Sequence, residues 1–93
     1  MTSPDKQWRI DNAKRLAGLK LEFLPYTKRS ESWDHDHCAA CWAKFAESNG
    51  PDILHEGYAT RDDYPFGARY EWVCQICFDD LKDDMAWTSE AAP

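Results

Sequence analysis

Two Cys-x-x-Cys units, Cys38–Cys41 and Cys74–Cys77, in a chain of only 93 residues constrain this fold more than any other feature. A two-residue spacer lets both sulfurs of a tight turn face one ion. Two such pairs supply the four ligands of a tetrahedral site with metal–sulfur distances near 2.3 Å for zinc. The staple is needed, because a chain this short buries only about 60–65% of the surface that its unfolded form exposes. The expected arrangement is a single domain over residues 1–93, with tails at 1–5 and 88–93, holding one structural Zn2+ on Cys38, Cys41, Cys74 and Cys77.

Other uses of four cysteines fit less well. Disulfides need an oxidising compartment, whereas the polar N-terminus has no signal-like apolar stretch. No apolar run approaches the roughly 18 residues of a membrane span, so the expected location is cytoplasmic. A thioredoxin-type redox pair belongs to a larger βαβ fold and has no use for a second unit. Rubredoxin-type iron is the closest rival, but its knuckles resemble CxxCG and CPxCG. Here Trp42 and Phe78 follow the second cysteines and no proline follows Cys74. Metal analysis separates zinc from iron. His35 precedes Cys38 at ligand spacing and His37 abuts it. Four cysteine ligands are expected, with His35 and His37 around the metal donating hydrogen bonds to sulfur and offsetting the charge of a tetrathiolate centre. The alternatives are that one histidine replaces a cysteine or that a second metal binds.

Charge divides the chain. Residues 1–29 carry seven bases to three acids, and the rest carries four bases to fourteen acids, for a net charge of −6. A basic segment can be an arm for nucleic acid or can dock on the protein's own carboxylates. The second is expected, because a globally acidic protein repels phosphate. Arg9, Lys14 and Arg15 should then lie over acids such as Asp79 to Asp84. An aromatic content of 14% excludes a disordered acidic tail. Most of the five tryptophans are expected in the core, with one or two left for an exposed patch.

Along the chain, Ser3-Pro4 reads as a helix start, and Ile10, Ala13, Leu16 and Ala17 recur at helical spacing up to Gly18. Residues 19–23 alternate as a strand ended by Pro25, followed by a polar loop over 26–34 anchored by Tyr26 and Trp33. Trp42, Phe45 and Ala46 suggest a short helix stopped by Asn49-Gly50-Pro51. Residues 53–60 and 69–73 read as two strands around a turn. A last helix is expected from about Gln75 to Trp87, with Asp79 and Asp80 in its first turn and a fraying tail from Thr88. His55 should be a satisfied hydrogen-bonding partner. The fold class is therefore small α+β.

A first cysteine pair, a hairpin and a second pair opening a helix resemble the treble-clef zinc finger, with a zinc-ribbon-like variant left open. Asp34-His35-Asp36-His37 also resembles the Asp-His entry of HNH nucleases. In that family the dipeptide follows the first pair, and Phe78 stands where a ligand histidine belongs, so the catalytic metal has no holders. Asp79, Asp80 and Asp83 form a DDxxD that resembles the motif of isoprenoid synthases, large helical enzymes whose cavity this chain cannot build. The segments Trp33 to Phe45, Glu56 to Thr60 and Tyr70 to Asp80, with Trp8 to Gly18, resemble a group of short bacterial proteins with a double CxxC. That resemblance implies a free-standing bacterial protein and carries no activity with it. The expected role is a non-catalytic zinc domain whose partner is another protein, of adaptor, inhibitor or immunity type. The alternatives are a metal-dependent enzyme or a nucleic-acid-binding finger. No small-molecule substrate and no membrane partner is evident.

Overall fold

The structure is a computed structural model and describes residues 4–28, 30–33 and 35–89. Helix α1 (Pro4–Asn12) begins on the proline, whose fixed φ suits a first helical position. The expected cap, Ser3, lies outside the described residues. Regular helix stops at Asn12 and tightens into a 3-10 turn over Lys14–Leu16, which drives Ala13 and Leu16 into the core at 0% exposure. Gly18 then reverses the chain at φ +80, a conformation open to glycine at little cost. Its N–H donates to the Met85 carbonyl at 2.7 Å.

Strand β1 (Lys20–Pro25) buries Leu21 and exposes Lys20 and Glu22, as its alternation dictates. It is an inner strand of a four-stranded sheet in the order β6-β5-β1-β7, where β5 is Glu56–Ala59, β6 Trp72–Val73 and β7 Thr88–Ser89. Strands β1 and β5 run antiparallel with Glu22 opposite Ala59, and β5 and β6 with Ala59 opposite Trp72. A second sheet, β2-β3-β4, joins His35–His37, Lys44–Ala46 and Ile53–Leu54. The two sheets meet where Cys38 bridges to Trp72 and the Ala39 N–H donates to the Trp72 carbonyl at 2.8 Å. Phe45, Trp72 and Tyr26 fill that seam, with ring centroids 4.9–5.8 Å apart. Helix α2 (Gln75–Met85) closes the core with Phe78, Leu81 and Met85 and packs against α1.

Several expectations need correction. The segment after Cys41 is strand β3, because Phe45 pairs with Asp36 on β2 and buries its ring at the seam. The run 53–60 breaks at His55, so β4 and β5 belong to different sheets. Residue Thr88 does not begin a frayed tail. Ala86 adopts a left-handed φ of 55 that ends α2, and buried Trp87 hands its indole N–H to the Leu16 carbonyl at 2.9 Å. That anchor aligns β7 in parallel with β1, Lys20 opposite Thr88. Asp79 and Asp80 stand in the second turn of α2, since the helix opens at Gln75. Pro4 and Asp5, expected in a tail, are helical, and residues 90–93 lie outside the described set. Only two tryptophans are core. Trp72 and Trp87 are buried, while Trp8, Trp33 and Trp42 are 43%, 36% and 60% exposed.

Candidate metal centre

Cys38 follows strand β2 and starts a tight turn. Its N–H donates to the Ala43 carbonyl at 2.8 Å, and the Trp42 N–H donates to the Cys38 carbonyl at 2.9 Å. Trp42 closes this turn at φ 66, the left-handed region that a bulky L-residue adopts at a cost of about 1–2 kcal/mol. The Cys41 N–H points inward to the Cys38 sulfur at 3.5 Å. Across the seam, Cys74 follows β6 as the N-cap of α2, and its sulfur accepts the Cys77 N–H at 3.4 Å. The Cys74 N–H donates to the Cys38 sulfur at 3.3 Å. Backbone N–H groups at a helix N-terminus favour thiolate over thiol.

The result is four free thiols whose sulfurs all lie within 4.8 Å of one another, with Cys41 and Cys74 3.7 Å apart. Zinc–sulfur bonds near 2.3 Å set tetrahedral sulfur–sulfur edges of about 3.8 Å. The donor set therefore fits a metal ion. It also explains the protonation of the cluster. Hydrogen bonds from Cys41, Cys74 and Cys77 pull the Cys38 thiol far below its ordinary range, and the Cys41 thiol is lowered to about 7. Cys74 and Cys77 are pushed up because they share their protons with Cys38 and Cys41. A bound divalent cation removes the conflict by stabilising all four thiolates together.

Cys38, Cys74 and Cys77 are buried and Cys41 is half-buried. Cys41 faces a groove of about 760 Å³ between β4 and the start of α2, floored by Ile53, Leu54 and Ile76. Among the described residues these cysteines form the one group of metal-binding side chains within ligand distance, and neither His35 nor His37 is a member. The two imidazoles sit on one face of β2 and meet edge to face, 4.9 Å between ring centroids. Asp36, between them, accepts from the Tyr26 hydroxyl at 2.8 Å and the Trp33 indole at 3.0 Å. His55 bonds the Ser48 carbonyl through Nε2 at 2.9 Å, the partnered role expected of it. The aspartates of α2 form no metal-binding group with one another among the described residues.

A cation does reach sulfur, and it comes from far away in the chain. Arg9 on α1 donates through Nη1 to the Cys77 sulfur at 3.6 Å. No spacing rule could have paired residue 9 with a cysteine on another helix; only the expectation that the basic segment docks near Asp79 to Asp84 brought it close. That docking is present. Arg9 pairs with Asp80 at 2.6 Å, Lys6 with Asp84 at 2.9 Å, and Arg15 with Glu71 at 2.8 Å. Lys14, the third base expected to pair, is exposed on the 3-10 turn and has no ion pair among the described residues. No protein-family model, curated protein or solved structure matches this chain. Among the described residues, no helix is long and apolar enough to cross a membrane.

Proposed function

We propose that this protein is a treble-clef-like zinc domain whose metal is structural and whose work is contact with another protein. Four sulfurs fill a tetrahedral set, and catalytic zinc needs an open position. Native mass spectrometry with elemental analysis should find one zinc per chain. A folded metal-free chain, or stoichiometric iron, would overturn the assignment.

Trp42 carries the interaction reading. It is 60% exposed, held in a strained left-handed backbone, and edged by Trp8 at 5.3 Å on α1. A bulky residue kept in such a conformation where it fills no core points to a surface role, and tryptophan is a frequent anchor of interfaces. Three of the bases in the N-terminal segment support the same reading, since Lys6, Arg9 and Arg15 are engaged by carboxylates of the chain itself.

Glycine at position 42 separates surface role from fold. Trp42→Gly should keep the metal and stay within about 1 kcal/mol of wild-type stability, because relief of the left-handed backbone offsets the lost Trp8 contact and added chain entropy. Affinity capture from the native host should return a specific protein with the wild type and lose it with Trp42→Gly. Equal capture by both forms would reject this patch as the contact.

A further inference from the structure

We infer that Arg9 is a working part of the metal centre, offsetting thiolate charge at Cys77 and fastening the N-terminal helix to the ion that the cysteines hold. This inference rests on the metal reading above. The Arg9 side chain is only 12% exposed. Its Nη1 donates to the Cys77 sulfur at 3.6 Å, its Nη2 donates to Asp80 at 2.6 Å, and its Nε lies 3.3 Å from the Asp5 carboxylate. That Nε approach is an ion pair without hydrogen-bond alignment. Cys77 and Asp80 stand three residues apart on α2 and so share one face, where a planar guanidinium fork can span both. Lysine, a point charge, cannot hold sulfur and carboxylate in the same way.

The electrostatics give this fork a purpose beyond packing. Four thiolates around one divalent ion leave a net charge of about −2. This charge sits mostly buried in a chain that is already −6, beside Asp80 and Asp5. Uncompensated buried charge is costly, and groups that hydrogen-bond a metal ligand commonly set metal affinity. An arginine guanidinium stays charged at any ordinary pH, so the fork brings a full positive charge to the Cys77 sulfur. Lys6 provides the internal comparison. It joins α1 to α2 through Asp84 at 2.9 Å without sulfur in the contact. One α1–α2 contact therefore includes the metal centre and the other does not.

The test compares Arg9→Gln with Lys6→Gln in the zinc-loaded full chain. Both should speed amide exchange over residues 5–12, since each removes a tie to α2. Arg9→Gln alone should also speed zinc release to a chromophoric chelator, by about 10–100-fold. Arg9→Lys, which keeps the charge and loses the fork, should fall between wild type and Arg9→Gln, and it carries the test if Arg9→Gln does not fold. Zinc release at the wild-type rate from the Arg9 variants, with faster exchange in α1, would reduce Arg9 to a strut and overturn the inference. Equal acceleration by Lys6→Gln would overturn it too. A wild-type chain that holds no zinc would instead defeat the metal reading itself, and native mass spectra of each form show which has failed.

Discussion

Replacing Cys38 with serine should leave the chain without a cooperative thermal transition at neutral pH, and strong chelation of the wild type should do the same. Cys38 is the residue on which both halves of the protein converge. It is fully buried, its sulfur accepts the N–H groups of Cys41 and Cys74, and its backbone bridges the second sheet to Trp72 in the first. Binding of a structural zinc is worth about 10–16 kcal/mol at neutral pH. Domains of this kind are stable by only about 5–15 kcal/mol in total. Loss of the metal therefore removes as much free energy as the fold has to lose. Cys41→Ser should be the mildest of the four ligand changes, because Cys41 is half-buried on the groove side and its neighbours can admit water. Far-UV circular dichroism and a thermal melt, with and without chelator, read the result. A cooperative melt from metal-free Cys38→Ser would show that the apolar core suffices alone.

The site was legible where its signal is local. Two CxxC spacings name four ligands, and a cysteine opening a helix explains why Cys74 caps α2 and Cys77 turns its amide inward. The segment between them misled because its periodicity fits two structures. Trp42, Phe45 and Ala46 lie on one side of a helix, but once Trp42 takes a left-handed turn the chain leaves Cys41 extended, and Phe45 meets Asp36 across a strand pair. Backbone conformation at one residue decided the element, and no composition rule marks tryptophan for that conformation. The C-terminus was misread for another reason. Thr88 and Ser89 have little to order them locally; they are ordered by Trp87, which reaches a carbonyl at Leu16, far off in sequence. Arg9 belongs with them. Its partners are three-dimensional facts.

The seam between the sheets yields the second large effect. Gly57, buried in β5, leaves no room for a methyl group: a Cβ there would lie 2.7 and 2.8 Å from two ring carbons of Phe45 and 2.9 Å from the Val73 carbonyl. The ring cannot simply swing away, because it packs against Tyr26 and Trp72 with centroids 5.8 and 5.5 Å distant. The carbonyl belongs to β6, one residue before Cys74, so moving it drags one of the four clustered cysteines. Gly57→Ala should therefore cost about 3 kcal/mol, the upper part of the range for an overpacked core. Zinc release should quicken with it, as Cys74 is displaced. Phe45→Leu removes the ring edge and leaves the carbonyl in place. In a double-mutant cycle it should return about 1–2 kcal/mol of the Gly57→Ala loss, though not all of it. Urea denaturation of the zinc-loaded proteins measures each corner of the cycle. A Gly57→Ala protein within 0.5 kcal/mol of wild type, the scatter of neutral surface changes, would mean that the seam is looser than these distances show. In that case more of the tie between the two sheets would fall to the Cys38–Trp72 backbone bridge and to the metal.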